Sequence, residues 1–163
     1  YENEVISRLK EFVALAKDKN ITLCHENEKD IFGEQAENCL KIHEAIPELK
    51  AVFDPANFVQ CKQDTKEAWE MLSPYVKYMH IKDARKEKED VVPAGLGDGN
   101  VEYILRDLFA SGYGGFLSLE PHLGKFKGLA DLELDDKMLE LPDAGEETFE
   151  LAHKSLLTIL DRI

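Results

Sequence analysis

Cysteine is scarce in this sequence, with three residues among 163. Cys24, Cys39 and Cys61 are an odd and widely spaced set, which favours reduced thiols in a cytoplasmic protein over a secreted disulfide scaffold. Long apolar runs are missing too, because no stretch approaches the roughly 20 residues of a membrane span. The basic and apolar segments of a signal peptide are also absent. These absences predict a cytoplasmic protein with no membrane partner.

Positive charge is in deficit, since 20 Lys and Arg stand against 33 Asp and Glu and give a net charge of −13. Nucleic acids and anionic membranes need a positive surface, so this balance argues against both as main partners. The acidic excess suits cation binding, although most of it is expected to be solvated surface. A hydrophobic content of 44% with 33% charged residues is typical of a soluble globular protein.

Helix-like and strand-like spacings of apolar residues alternate along the chain. Short, largely apolar strands are predicted to start near residues 21, 49, 76 and 115, with helical segments before and after each one. Such strands are typical of a parallel sheet covered by helices. A closed eight-stranded barrel takes about 250 residues, so four βα units correspond to half of one. An open, doubly wound sheet is the competing architecture.

Each predicted strand ends near a side chain that can bind a metal ion. These side chains are Glu26, Asp54, His80 and Glu120. The carboxyl ends of parallel strands lie on one face of a β/α sheet, so the four can converge without any local motif. Three carboxylates and an imidazole suit Mn²⁺, Mg²⁺, Co²⁺ or Zn²⁺. Each residue taken alone is more often a turn, core or surface residue than a ligand, but their occurrence at the ends of four successive strands predicts one divalent metal ion.

Alternation along the strands predicts which side faces the site. Tyr78 and His80 share one side of their strand, and Met79 and Ile81 share the more apolar side. The same pattern recurs in the other predicted strands. We therefore expect the ligands on the inner face of the barrel and the apolar residues against the helices.

Two segments carry strong composition signals without a clear function. Residues 83–90, DARKEKED, are interpreted as a solvated loop. Residues 95–100, GLGDGN, could hold a phosphate at the start of the following helix, although a glycine-rich turn without a ligand is the favoured alternative. Asn100 is expected to cap that helix.

The stretches HIKDA and PAGLGDGNVEYILRDLFASGYGGFLSLEPH resemble the xylose isomerase-like TIM barrels, the sugar phosphate isomerase and epimerase group. The resemblance covers nearly the whole chain and implies an α/β fold, the C-terminal half (four βα units) of a (β/α)8 TIM barrel. In that family the last four strands supply Glu, Asp, His and Glu to one divalent metal. The four candidate ligands match this order. Because the chain opens with Tyr1 inside a predicted helix, residues 1–163 are expected to be a single domain from a longer TIM-barrel protein.

The resemblance implies a metal-dependent sugar or sugar-phosphate isomerase or epimerase that abstracts a proton next to a metal-bound carbonyl. It implies that Glu26 and Glu120 act as general base and acid on opposite faces of the substrate. An inosose-type dehydratase on the same site and a non-catalytic truncated half barrel remain as alternatives. The expected partner is a small sugar or polyol. A half barrel is also expected to self-associate or to pair with the N-terminal half of the barrel.

Three further residues are candidates for substrate binding. Asn57 stands where family epimerases commonly have a histidine, and it can bond a sugar hydroxyl but cannot be a general base. Lys82 lies on the same side as His80 and is expected to bind a substrate oxyanion, with a surface lysine as the alternative. His122, two residues beyond Glu120, is expected to line the mouth of the site. Residues 85–92 lack the histidine of the apurinic endonuclease branch, which disfavours a DNA-repair nuclease.

Overall fold

The computed structural model of the protein describes residues 1–124, 143 and 145–163. The helices are α1 (Glu2–Ala16), α2 (Ala36–Ala45), α3 (Pro55–Gln60), α4 (Thr65–Leu72), α5 (Val101–Ala110) and α6 (Glu146–Leu160). The strands are β1 (Cys24–Glu26), β2 (Lys50–Phe53), β3 (Val76–Ile81), β4 (Asp83–Ala84), β5 (Val91–Val92) and β6 (Leu117–Leu119). Of the helices described, none is long and apolar enough to cross a bilayer.

Four strands form one parallel sheet in the order β1-β2-β3-β6. Helices connect successive strands, which confirms the predicted βα units and the partial-barrel architecture. The side predicted to face the helices is buried, since Ala51, Phe53, Met79 and Ile81 are at most 3% exposed. The sheet is therefore packed from one side, and that packing fixes the strands whose ends carry the candidate ligands.

The largest apolar cluster joins the buried side of the sheet to the helices. Phe53 from β2 packs edge-on against Trp69 of α4, with ring centroids 5.2 Å apart. The Trp69 Nε1–H donates a hydrogen bond of 2.8 Å to Asp107 on α5, so the polar end of this buried ring is satisfied. Burying each large apolar side chain contributes about 1.5–3 kcal/mol. This cluster therefore holds β2 and β3, and with them the edge of the sheet where the site lies.

The first strand differs from its prediction. It begins at Cys24, because pairing with β2 starts at Cys24 opposite Lys50, whereas Ile21 is exposed and lies before it. Ile21, the predicted start of the strand, therefore belongs to the segment before β1 and not to the paired strand.

The interpretation of residues 83–90 as a solvated loop is wrong for its first two residues. Asp83 and Ala84 are buried and form β4, which pairs antiparallel with β5. The Arg85 guanidinium pairs with Asp90 and closes the exposed end of this hairpin. Because most residues of this segment are charged, its composition gave no sign that the carboxylate of Asp83 is buried.

Asn100 immediately precedes α5, but its side chain does not cap the helix. Its side-chain amide instead donates to Thr65 Oγ1, 2.8 Å away, and thereby ties the start of α5 to the start of α4. The predicted position is right and the predicted capping bond is wrong.

Candidate metal centre

The four candidate ligands lie at the carboxyl-terminal edge of the parallel sheet. Glu26 is the last residue of β1, Asp54 follows β2, His80 lies one residue before the end of β3, and Glu120 follows β6. One ligand atom from each residue lies within 4.8 Å of the ligand atoms of the other three. Residues far apart in sequence therefore meet because parallel strands end on the same side.

The imidazole of His80 is at the middle of this group. Its Nδ1 lies 2.9 Å from Glu26 Oε1 and 3.5 Å from Glu120 Oε2. The same nitrogen is 3.8 Å from Asp54 Oδ2. Despite these distances, His80 Nδ1 and Asp54 Oδ2 are both buried without a well-formed hydrogen bond. Asp54 Oδ2 instead forms an ion pair with the Lys82 ammonium, 3.1 Å away, and His80 Nδ1 faces the carboxylates. Four donor atoms this close together fit a bound divalent cation.

The electrostatics of the cluster favour positive charge. Burial alone lowers the pKa of His80, but the carboxylates Asp54, Glu120 and Glu26 outweigh burial and raise that pKa to about 11. Burial raises the pKa of Glu120, whereas His80 and Lys82 together hold it below its usual range. The carboxylates therefore draw a proton onto the imidazole, and a metal ion that binds His80 must displace that proton.

Lys82 lies inside the site and is not a surface lysine. Its Nζ is 2.9 Å from Glu120 Oε2 and 3.1 Å from Asp54 Oδ2, and its side chain is 4% exposed. Burial lowers the pKa of Lys82, but the two carboxylates outweigh burial and raise it above its ordinary value. With a neutral imidazole, a divalent cation and this ammonium would together balance the three carboxylate charges.

Asn27, which sequence reasoning missed, joins the ends of β1 and β2. Its Nδ2 donates to the Asp54 carbonyl at 2.8 Å, and its Oδ1 accepts from the Asp54 N–H at 2.9 Å. This two-bond link fixes the spacing between Glu26 and Asp54. The only sequence signal was a polar residue that directly follows a candidate ligand.

Asp54 is the N-cap of α3, a short helix that the sequence analysis did not predict. Its Oδ1 accepts the Asn57 N–H at 2.9 Å as the helix cap, which leaves Oδ2 for the ligand cluster. Asn57 is buried and donates from Nδ2 to the Asn27 carbonyl and to Glu28 Oε2. This arrangement gives Asn57 a structural role, and its predicted substrate contact stays a prediction.

His122 lies at the edge of the cluster, with its Nε2 3.9 Å from Glu120 Oε1. Its side chain is about one-third exposed, similar to that of Glu120. His122 therefore lies beside one candidate ligand, and both its place at the mouth of the site and its contact with substrate stay predictions.

The glycine-rich loop holds an anion from the protein itself. The N–H groups of Gly95 and Gly97 donate to Asp83 Oδ2, and the Gly99 N–H donates to Asp83 Oδ1. These amides are the groups that a phosphate cradle would need, and a buried carboxylate already uses them. The hypothesis that this loop holds a phosphate through them is therefore wrong.

Comparisons with known proteins show which family the chain resembles. A family model described as xylose isomerase-like TIM barrel matches residues 1–141. No match to a curated protein is significant. The structure resembles the IolI protein with a binding zinc atom, at 16% identity and a TM-score of 0.72, over 99% of this chain and 56% of that one.

Two further solved structures are similar. D-allulose 3-epimerase from Methylomonas sp. in complex with D-allulose has 15% identity and a TM-score of 0.71, over 99% of this chain and 55% of that one. The probable 3-DHS dehydratase AsbF from Bacillus anthracis has 17% identity and a TM-score of 0.61, over 71% of this chain and 48% of that one. The chain thus spans about half the length of these structures. With a family model covering most of its length, the chain belongs to the xylose isomerase-like TIM barrel family.

Proposed function

We propose that the chain provides the metal-binding half of the active site of a sugar or sugar-phosphate isomerase or epimerase. Glu26, Asp54, His80 and Glu120 would hold one divalent ion, Mn²⁺, Mg²⁺, Co²⁺ or Zn²⁺. The observation that carries this proposal is that one donor atom from each of these four residues lies within 4.8 Å of the other three, at the end of the parallel sheet. The zinc in the similar IolI structure supports a divalent ion here.

Exposure divides the four residues into two kinds. The Asp54 side chain is 0% exposed and that of His80 is 16% exposed, so both are suited to bind a metal ion from the side that faces away from solvent. The side chains of Glu26 and Glu120 are 31% and 33% exposed, so a substrate can reach them. We therefore infer that the two glutamates also exchange protons with substrate, as general base and acid.

Proton transfer by the two glutamates would invert the configuration at the carbon next to the carbonyl of a ketose. When bound, the metal supplies Lewis acidity at the substrate carbonyl and so lowers the pKa of the adjacent C–H. One glutamate removes this proton from one face, and the other returns a proton to the opposite face. The Lys82 ammonium, 2.9 Å from Glu120, is positioned to stabilise negative charge on a substrate oxygen bound beside that carboxylate.

An inosose-type dehydratase is the second candidate, because the same proton abstraction can precede loss of water. The likeness to a probable dehydratase supports keeping it. Incubation of an assembled, active form of the protein with Mn²⁺ and a panel of ketoses and inososes, followed by NMR of the products, separates the two. We expect a stereoisomer of the ketose; loss of water from an inosose with every ketose unchanged would replace the first proposal with the second.

We also propose that the inner face of this sheet is completed by more protein, either a second copy of the chain or an N-terminal half barrel. Phe116 beside β6 is 77% exposed and contacts Tyr78, with ring centroids 6.4 Å apart. In the part of the chain that the structure describes, β1 and β6 each pair with one strand only. Open edges and exposed aromatic residues favour association.

The purified 163-residue chain should therefore self-associate and show little or no turnover, because a half barrel lacks half of the substrate pocket. Light scattering should show dimers or larger species, and Phe116→Ser should shift them toward monomer. Phe149→Ser, which changes a 52% exposed phenylalanine on α6, is the matched control and should leave the mass unchanged. A stable wild-type monomer with full epimerase activity would contradict the half-barrel proposal.

A further inference from the structure

The Asp83 carboxylate is fully buried and accepts four backbone N–H groups. Besides the three glycine amides of the loop at residues 95–99, Oδ1 accepts the N–H of Ala84 at 2.9 Å. Burial raises the pKa of Asp83, and the four amide bonds oppose that rise. The Asp83 side chain thus holds a loop that lies 12 to 16 residues further along the chain.

The loop leaves room for this carboxylate and for little else. A Cβ atom on Gly97 would lie 2.4 Å from Asp83 Oδ1, and one on Gly99 would lie 2.6 Å from the same oxygen. Real Cβ atoms do not approach so closely, so side chains at these positions would displace the carboxylate or the loop. We call Asp83 with its four amide donors the aspartate clamp.

The aspartate clamp begins one residue after Lys82. Lys82 in turn follows Ile81, whose carbonyl accepts the Glu120 N–H at 3.3 Å. The backbone on both sides of Lys82 is therefore fixed, by the sheet before it and by the clamp after it. With both sides fixed, the Lys82 ammonium lies between Asp54 and Glu120.

We propose that Asp83 is a positioning residue, which holds the Lys82 ammonium on two metal ligands and thereby weakens and tunes metal binding. The inference rests on the proposed metal centre. The ammonium competes for oxygens of Asp54 and Glu120 and repels a divalent cation over a few ångströms. Removing the ammonium should strengthen metal binding, and loosening the clamp should do the same through Lys82.

A double-mutant cycle on the full chain tests this, with Mn²⁺ affinity measured by calorimetry. Mn²⁺ is the probe because it prefers oxygen and nitrogen ligands over the three free thiols. Lys82→Met should tighten Mn²⁺ binding at least about tenfold. Asp83→Asn, which turns an amide NH₂ toward backbone donors, should tighten it roughly 3- to 10-fold alone and have no effect beside Lys82→Met. The expected coupling between the Asp83 and Lys82 substitutions, about 3- to 10-fold in Mn²⁺ affinity, lies within the roughly 2- to 150-fold range that double-mutant cycles give for residues in contact.

Gly99→Ala disturbs the aspartate clamp from its other side and should show the same dependence on Lys82. The controls are Asp98→Asn, on the same loop but bonded to the Lys86 N–H, and Gly114→Ala, whose Cβ would meet no atom within 4 Å. Both controls should leave Mn²⁺ affinity unchanged.

The outcomes separate the two proposals. Wild-type protein that binds no Mn²⁺ would refute the metal centre itself. With wild-type binding intact, equal effects of Asp83→Asn in both backgrounds, or weaker binding in both, would show that Asp83 does not act through Lys82. If Asp83→Asn and Gly99→Ala both fail to fold with Mn²⁺ present, the clamp is a folding element only and the positioning proposal is overturned.

Discussion

Asp54→Asn is expected to weaken Mn²⁺ binding roughly 30- to 5,000-fold while leaving the fold intact. Asparagine is as good a helix cap as aspartate, so its oxygen can still accept the Asn57 N–H that begins α3. The substitution replaces the other oxygen, Oδ2, with an NH₂ group that faces the Lys82 ammonium and His80. Losing one partner of a buried charge pair costs about 2–5 kcal/mol, which sets the expected range.

Asp64→Asn is the matched control for this change. Asp64 caps α4 by accepting the N–H groups of Lys66 and Glu67, so the same substitution occurs at the same helix position outside the ligand cluster. Calorimetry with Mn²⁺ compares the two variants, and thermal unfolding confirms that both fold. Equal affinities of Asp54→Asn and Asp64→Asn would remove Asp54 from the metal site.

Glu120→Gln is expected to reduce turnover of a ketose by about 10²- to 10⁴-fold, the usual contribution of a positioned acid or base. Glutamine keeps the shape of the side chain and can still accept the hydrogen bond from Lys82, but it cannot exchange a proton. The measurement is kcat in whichever assembled form of the protein proves active, at saturating Mn²⁺ so that a weakened ligand does not limit the rate.

Glu150→Gln provides the comparison, because Glu150 is an exposed residue of α6 that pairs with Lys154. Its turnover should equal that of the wild type. Near-normal turnover in Glu120→Gln would exclude Glu120 as the acid–base group and leave it as a ligand only.

The edge of the sheet that carries the site could be predicted because strand ends are visible in the sequence. A short apolar run followed by a polar residue marks the end of β2 at Asp54 and the end of β6 at Glu120. Parallel pairing then places such ends together, whatever their separation along the chain. The α3 helix was missed because Asp-Pro begins a turn and a short helix with the same residues.

The residues that support the ligands could not be predicted in this way. The burial of Asp83 depends on amides of a loop 12 to 16 residues further along, and nothing in the local composition distinguishes Asp83 from the charged residues that follow. Asn27 depends likewise on the backbone of Asp54, 27 residues away. Roles of this kind arise from tertiary hydrogen bonds, which leave no periodic pattern in the sequence.

The position of a bound metal ion tests the central claim most directly. Crystals of the wild-type protein grown with Mn²⁺ should show one anomalous scattering peak per chain at the end of the parallel sheet. That peak should lie about 2.0–2.6 Å from one donor atom of each of Glu26, Asp54, His80 and Glu120. A peak elsewhere, or no peak at this site with Mn²⁺ in excess, would contradict the proposed metal centre.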